Sequence, residues 1–207
     1  MNRSLILCLA ALSLQSCALF SKGEVTTRRY FSPDLPVAQN ANLERRTDLQ
    51  LRLARVSANR TLSERIMYRD SEHEVGFYEE LVWTERPEAY LARGLTRVLF
   101  EERGLRSIVG GPGPTLDVEL VRFEEVKAPT HVARVRITFT LSDERLVSVQ
   151  KTVNLERPVA EAAAKEALGP ALAEAMGEAL RDAISELSTV VMAELAKASA
   201  PIKTTAR

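Results

Sequence analysis

The sequence is poor in cysteine and histidine, which often build disulfide frameworks, metal sites and acid–base catalysis. Among 207 residues there are two of each. We interpret His73, in an acidic stretch, and His131, at the start of a predicted strand, as surface or packing residues. The "GGPGP" run at 110–114 lacks the Lys and Ser/Thr of a phosphate-binding loop, and no G-x-S-x-G nucleophile motif occurs. We therefore predict no catalytic residue, no metal, no cofactor and no enzyme activity.

An excess of one charge sign is also absent. The chain has 28 Lys and Arg residues against 28 Asp and Glu residues, and the two signs are interspersed. Because a nucleic-acid surface needs a concentrated basic field, we predict no nucleic-acid partner. Adjacent acids such as Glu124 and Glu125 point apart on any regular element, and we interpret them as part of solvated faces.

The apolar segment near the start of the chain is too short to cross a bilayer. Residues 5–12 are apolar and follow Arg3, a pattern typical of a signal peptide, whereas a spanning helix needs about 20 apolar residues. The segment ends in Leu14-Gln15-Ser16-Cys17, which resembles a bacterial lipobox. In that signal the peptide is cut before the cysteine, which becomes acylated. An ordinary secretory signal and a cytosolic protein with an apolar start are the alternatives.

The lipobox resemblance implies a signal peptide over residues 1–16 and lipid attachment at Cys17. Two or more acyl chains, such as palmitate, make a stable membrane anchor. Cys8 would leave with the signal, so that a disulfide framework and a multi-cysteine metal site are excluded. Ala18 stands where enterobacterial sorting uses Asp for inner-membrane retention. We therefore predict a lipid-anchored protein of the bacterial cell envelope, at the outer membrane and facing the periplasm.

Apolar residues that alternate with polar ones predict several strands of a sheet with one wet face. The clearest is "HVARVRITFTL", where Ala133, Val135, Ile137, Phe139 and Leu141 share one side. "DLQLRLARV", "TLDVELVRF" and "RLVSVQKTVNL" show the same period, and "TRRYFSP" predicts a short strand ended by Pro33. A polar turn at 142–144 makes 131–155 a β-hairpin.

Helical spacing predicts two helices. One follows Pro87 and stops at Gly104. The other is a long Ala-rich segment that Pro158 opens and Gly169-Pro170 interrupts. We predict a single α+β domain over 48–199, a largely antiparallel or mixed sheet covered by these helices. A lipidated tether with a possible first strand precedes it at 17–47, and a flexible tail follows at 200–207.

Aromatic residues make up only 5% of the chain, yet five of them lie between positions 68 and 90. They either fill the core of a β-ribbon that leads into a helix, or one or two of them form a protein-binding surface. With the lipobox and the order of elements, "IMYRDSEHEVGFYEELVWTERPEAYLARGL" resembles the ABC-type transport auxiliary lipoprotein family. In that family a Tyr-Arg pair ends one strand, a polar stretch and a Tyr follow, and a Trp closes the next strand. The matching residues here are Tyr68, Arg69, Tyr78 and Trp83.

The resemblance implies a non-catalytic subunit of a phospholipid transport system. Such lipoproteins resemble the outer-membrane partners of mammalian-cell-entry (MCE) proteins, as in paraquat-inducible-type systems. The MCE proteins form a tunnel for phospholipids across the periplasm. An inner-membrane ABC permease and ATPase complete these systems. The chain would anchor or dock the far end of the tunnel, with a homo-oligomeric ring as one arrangement, and Tyr68, Arg69, Tyr78 and Trp83 as candidate partner-binding residues. A stand-alone structural or assembly lipoprotein and an envelope hydrolase are the alternatives.

Overall fold

The computed structural model describes residues 27–33, 47–143, 146–161 and 165–199. The predicted signal peptide, Cys17, most of the tether and the predicted tail lie outside the described residues. The nine strands within them are β1 (Arg29–Phe31), β2 (Gln50–Leu53), β3 (Ser57–Ala58), β4 (Arg65–Arg69), β5 (Val75–Trp83), β6 (Arg106–Ser107), β7 (Thr115–Val126), β8 (Val132–Ser142) and β9 (Val147–Pro158). The helices are α1 (Pro87–Thr96), which continues into a π-helical turn (Arg97–Glu102), and α2 (Lys165–Ser199).

Strand β7 is the centre of one mixed sheet. On one side it pairs antiparallel with β8, which pairs antiparallel with β9, so the predicted hairpin is confirmed. On its other side the short strands β2, β3 and β4 pair with β7 in parallel, one after another along its length. Strand β5 pairs antiparallel with β4, while β1 is parallel to β5 and β6 is parallel to β2.

The alternation along β8 separates a core face from an outer face. Its five apolar residues from Ala133 to Leu141 are each at most 2% exposed, as the period of two predicts. Helix α2 packs on β8 and β9, and α1 packs on β7 and on α2, so that all these elements share one hydrophobic core. The residues of β8 that alternate with these apolar ones are polar and form the outer face of the sheet. There the hydroxyls of Thr138 on β8 and Thr152 on β9 lie 3.0 Å apart. The predicted α+β architecture is confirmed.

Helix α1 and the π-helical turn end where the sequence predicts a stop. Gly104 has φ of 69°, a left-handed conformation in which a glycine avoids the steric cost of a Cβ atom. Leu91, Leu95 and Leu99 on one face of this segment are fully buried. The spacing of three to four residues therefore predicts the buried face correctly.

The start of α2 differs from the prediction. Pro158 does not open the helix but ends β9, an edge strand in which a missing N–H leaves no ladder partner unpaired. Gly169-Pro170 does not interrupt the helix but lies inside its first turns. Because Pro170 cannot donate to the carbonyl of Glu166, four residues earlier, that oxygen needs another donor. Arg29 of β1 supplies it, with its Nη2 2.8 Å from the Glu166 oxygen.

Candidate partner-binding site

Three of the four predicted partner-binding residues meet at one end of the sheet. Tyr68 and Arg69 end β4, and Tyr78 lies on the neighbouring strand β5. The ring centroids of Tyr68 and Tyr78 are 4.9 Å apart at a tilted angle of 57°. Gly76 lies opposite Tyr68, and a Cβ atom there would come within 2.4 Å of the Tyr68 Cζ atom. A glycine at 76 therefore makes the space that the Tyr68 ring occupies.

Lys127 completes this group from the end of β7. Its Nζ atom lies 3.5 Å from the centroid of the Tyr68 ring and 5.3 Å from that of Tyr78. Both distances fall within the range of cation–π attraction. Asp70 holds the same ammonium group at 3.2 Å. We call Tyr68, Tyr78 and Lys127 the Tyr–Lys cluster; its two rings are half-buried and its lysine side chain is 35% exposed.

Glu125 lies beneath the Tyr–Lys cluster and is 1% exposed. The Tyr78 hydroxyl donates to Glu125 Oε2 at 2.6 Å, and His131 Nε2 lies 2.6 Å from Oε1. Burial raises the pKa of Tyr78 well above its ordinary value, and the hydrogen bond to Glu125 raises it further. The phenol therefore stays protonated and remains a donor to the buried carboxylate at any physiological pH.

Glu124 points to the outer face of the sheet and is 0% exposed. Arg69 binds it with two parallel hydrogen bonds, from Nε to Oε1 and from Nη2 to Oε2, each 3.1 Å long. Arg134 Nη1 lies 3.6 Å from the same carboxylate. Bidentate arginine–carboxylate pairs are among the strongest charge-assisted contacts, which fixes Arg69 in this position.

The prediction that Glu124 and Glu125 lie on solvated faces is wrong, although their side chains do point apart. Glu124 is buried among Arg69 of β4 and Arg134 of β8. Glu125 is buried against the Tyr78 hydroxyl of β5 and His131, the residue before β8. The sequence gives one sign of this arrangement, since Tyr-Arg in β4 and His-x-x-Arg at the start of β8 supply the donors. Sequence reasoning missed Glu124, Glu125, Lys127, His131 and Arg134 as members of the site.

Trp83 lies elsewhere, in the hydrophobic core at the other end of β5. It is 1% exposed, and its ring packs edge-on against Phe123 at a centroid distance of 5.4 Å. A side chain with so little exposed surface offers a partner almost nothing to contact. We therefore leave Trp83 out of the candidate site, which consists of the Tyr–Lys cluster with Arg69 and its carboxylate partners.

The chain matches the family described as the ABC-type transport auxiliary lipoprotein component over residues 31–188. It belongs to this family. The family is described by a transport role and not by a reaction, and the resemblance inferred from the sequence is confirmed.

Solved structures show the same fold at low sequence identity. A DUF330-family protein from Xanthomonas campestris is 21% identical with a TM-score of 0.70, and the match covers 83% of this chain and 99% of that one. A hypothetical protein from Chlamydia trachomatis is 10% identical with a TM-score of 0.53, and the match covers 73% and 99% of the two chains. No curated protein matches the sequence significantly.

The site contains no arrangement typical of a metal centre. Across the part of the chain that the structure describes, no three His, Cys, Asp or Glu side chains lie together in a way that would hold a metal ion. None of the helices in these described residues combines the length and the apolar composition that a bilayer-spanning segment needs. The site brings together half-buried aromatic rings, a lysine ammonium group and buried carboxylates with their arginine and hydroxyl partners.

Proposed function

We propose that this protein is a non-catalytic subunit of an MCE/ABC-type phospholipid transport system. A lipid on Cys17 would hold it at the outer membrane, where it would dock the periplasm-spanning component. Membership of the auxiliary lipoprotein family supports the transport role. The lipobox residues and Ala18 support the anchor and its outer-membrane address.

The observation that carries the docking role is the composition of the Tyr–Lys cluster and its surroundings. Tyrosines are enriched at the centres of protein interfaces because they combine a large apolar area with a hydroxyl group. At the same end of the sheet, Val75 at the start of β5 lies opposite Arg69 and is 46% exposed, an apolar side chain open to contact. Below the cluster, the hydrogen bond from the Tyr78 hydroxyl to the buried Glu125 holds the Tyr78 ring in place. A rigid aromatic surface binds a partner with little loss of side-chain entropy.

Purification of the lipidated full-length protein from native membranes tests both parts of the proposal. The wild type should co-purify with an MCE-domain protein, and Cys17→Ala should leave the membrane fraction. Lys127→Gln should lose most of the MCE-domain protein because it removes the charge of the cluster. Lys151→Gln is the matched control, since Lys151 is also a half-exposed lysine in an ion pair, with Glu186 at 2.9 Å.

The outcome separates this proposal from the alternatives. Exposed ion pairs contribute about 0–1 kcal/mol, so both lysine variants should keep nearly the wild-type melting temperature. Equal loss of the partner in both variants would contradict the assignment of the surface. A wild-type preparation without any transport subunit would contradict the proposed system and favour a stand-alone structural lipoprotein.

A further inference from the structure

The outer face of the sheet carries a cleft lined by four arginines. Arg69, Arg122, Arg134 and Arg136 surround it, with Glu124 and Glu72 as its two acidic residues. Its volume is about 270 Å³, room for several water molecules. We call it the arginine cleft. It lies on the opposite side of β7 from Glu125 and Tyr78, so it is distinct from the Tyr–Lys cluster.

Two neighbouring rows of cross-strand partners differ in their charge. In the first row Glu124, Arg134 and Glu156 lie opposite one another on β7, β8 and β9, so that the signs alternate. Arg134 Nε donates to Glu156 at 2.7 Å, and Arg69 binds Glu124 from the other side. This row is balanced within the protein.

The second row is not balanced. Arg122 lies directly opposite Arg136, and the next residue in the row is the neutral Asn154. Like charges directly opposite each other destabilise a sheet. The Nε atom of Arg122 is 3.9 Å from Glu124, a carboxylate that Arg69 and Arg134 already share.

Arg136 is oriented without being neutralised. Its Nε atom donates to Asn154 Oδ1 at 3.1 Å, which fixes the plane of the guanidinium group. The remaining donors of a guanidinium are free to bind an anion in the cleft, and among the described residues no carboxylate forms an ion pair with Arg136. Paired guanidinium groups match the tetrahedral oxygens of a phosphate group.

We propose that the arginine cleft binds a phosphate group, with Arg122 and Arg136 as its principal ligands. Arg69 and Arg134 neutralise Glu124, so that this carboxylate does not repel the anion. The phosphate belongs either to a phospholipid headgroup or to free phosphate. The headgroup assignment rests on the proposed transport function, whereas the anion site itself rests on the arginines alone.

Calorimetric titration of the full-length lipoprotein in a non-ionic detergent with inorganic phosphate tests the site. Binding should be saturable and should weaken as salt is added. Arg122→Gln and Arg136→Gln should each weaken it about tenfold or more, because each removes charge-assisted hydrogen bonds. Arg60→Gln, at an exposed arginine that does not line the cleft, should leave the affinity unchanged. Absence of saturable binding, or an equal loss in Arg60→Gln, would overturn the proposal.

Two further measurements keep these outcomes distinct. In phosphate-free buffer neither cleft variant should melt below the wild type, since each removes a repulsive charge, and phosphate should raise the melting temperature of the wild type alone. Titration with a short-chain phosphatidylglycerol below its micelle concentration identifies the source: tighter binding than phosphate assigns a headgroup, and weaker binding assigns free phosphate. Saturable phosphate binding without co-purified transport subunits would support the anion site and contradict the proposed function. Co-purified transport subunits without saturable phosphate binding would support the proposed function and contradict the anion site.

Discussion

At the scale of single residues, the Tyr–Lys cluster depends on a buried carboxylate with two partners. Glu125 has lost almost all contact with water, and the Tyr78 hydroxyl and His131 replace that solvent. A buried carboxylate that loses a donor is costly because its desolvation is no longer compensated. The same hydrogen bond fixes the position of the Tyr78 ring in the proposed docking surface.

Tyr78→Phe should therefore destabilise the protein at neutral pH by about 1–3 kcal/mol, the cost of leaving a buried acceptor unpaired. Urea unfolding of the full chain measures this loss. Tyr30→Phe is the matched control, since Tyr30 is 61% exposed, and it should change stability by less than about 0.5 kcal/mol. Equal stability of the two variants would contradict the role of the hydroxyl.

The same pair of variants reports on the raised pKa of Tyr78. Unfolded tyrosine loses its proton near its ordinary pKa of about 10, while the folded protein keeps the proton on Tyr78 to higher pH. The folded state therefore binds more protons above pH 10, and the wild type loses stability as pH rises. Tyr78→Phe lacks this loss, so the difference between the two proteins should shrink with rising pH. A difference that grows would have the wrong sign for a raised pKa.

Part of this residue-level picture is visible in the sequence. The Tyr-Arg pair and Tyr78 stand out because aromatic residues are rare in this chain and follow the order of the family. The partners of these residues cannot be recognised from the local pattern. Glu124 lies on β7 and Lys127 and His131 lie in the loop after it, all far along the chain. Their burial depends on which strands become neighbours, and local periodicity carries no such information.

At the scale of secondary structure elements, the junction between β1 and α2 shows how distant segments complete a helix. Gly169 lets the Phe31 ring pack against α2, since a Cβ atom at 169 would lie 2.2 Å from the Phe31 Cζ atom. One residue later Pro170 removes a helical hydrogen bond, and Arg29 of β1 fills that place. The Gly169-Pro170 dipeptide alone predicts a helix break. The arginine that replaces the missing hydrogen bond lies more than one hundred positions away, so the local sequence does not show it.

Gly169→Ala tests this junction through the sign of its effect. In a free helix the change should stabilise by about 1 kcal/mol, because alanine has the higher helix propensity. Here we expect a loss of about 1–3 kcal/mol, since the new methyl group overlaps the Phe31 ring. Thermal or urea unfolding of the full chain measures the change, and Phe31→Ala in the same chain should remove most of the penalty.

Gly110→Ala provides the control for that experiment, because a Cβ atom at position 110 meets nothing within 4 Å. Its effect should stay within about 0.5 kcal/mol. A stabilising Gly169→Ala would show that β1 does not pack on the start of α2 in this way.

At the scale of the whole molecule, β7 separates two ends with different properties. The loop before its first residue carries Val109, which is 95% exposed, and its last residue adjoins the Tyr–Lys cluster. Twelve residues of strand, at about 3.3 Å each, span roughly 40 Å. The candidate sites lie at one end of the sheet, so a docked partner would approach the molecule from that end.

The architecture is predictable from the sequence, but the strand neighbours are not. The period-2 pattern of β8 and the helical spacing of α1 and α2 give the α+β class and the buried faces. The parallel pairing of β2, β3 and β4 along β7 involves strands of two to five residues. Even where such a strand shows a period, as β2 does, the period does not say which strand it pairs with. That pairing is what brings Arg69 to Glu124, so the candidate site appears only when the sheet is assembled.

Photo-crosslinking in living cells is the most direct test of the claim that this end docks a transport component. In the lipidated full-length protein, benzoylphenylalanine would replace either Val75 or Val109. Val75 lies opposite Arg69 at the same end of the sheet as the Tyr–Lys cluster, and Val109 is an exposed valine at the opposite end. We expect an adduct with an MCE-domain protein from position 75 and none from position 109. No adduct from position 75, or equal adducts from both, would contradict it.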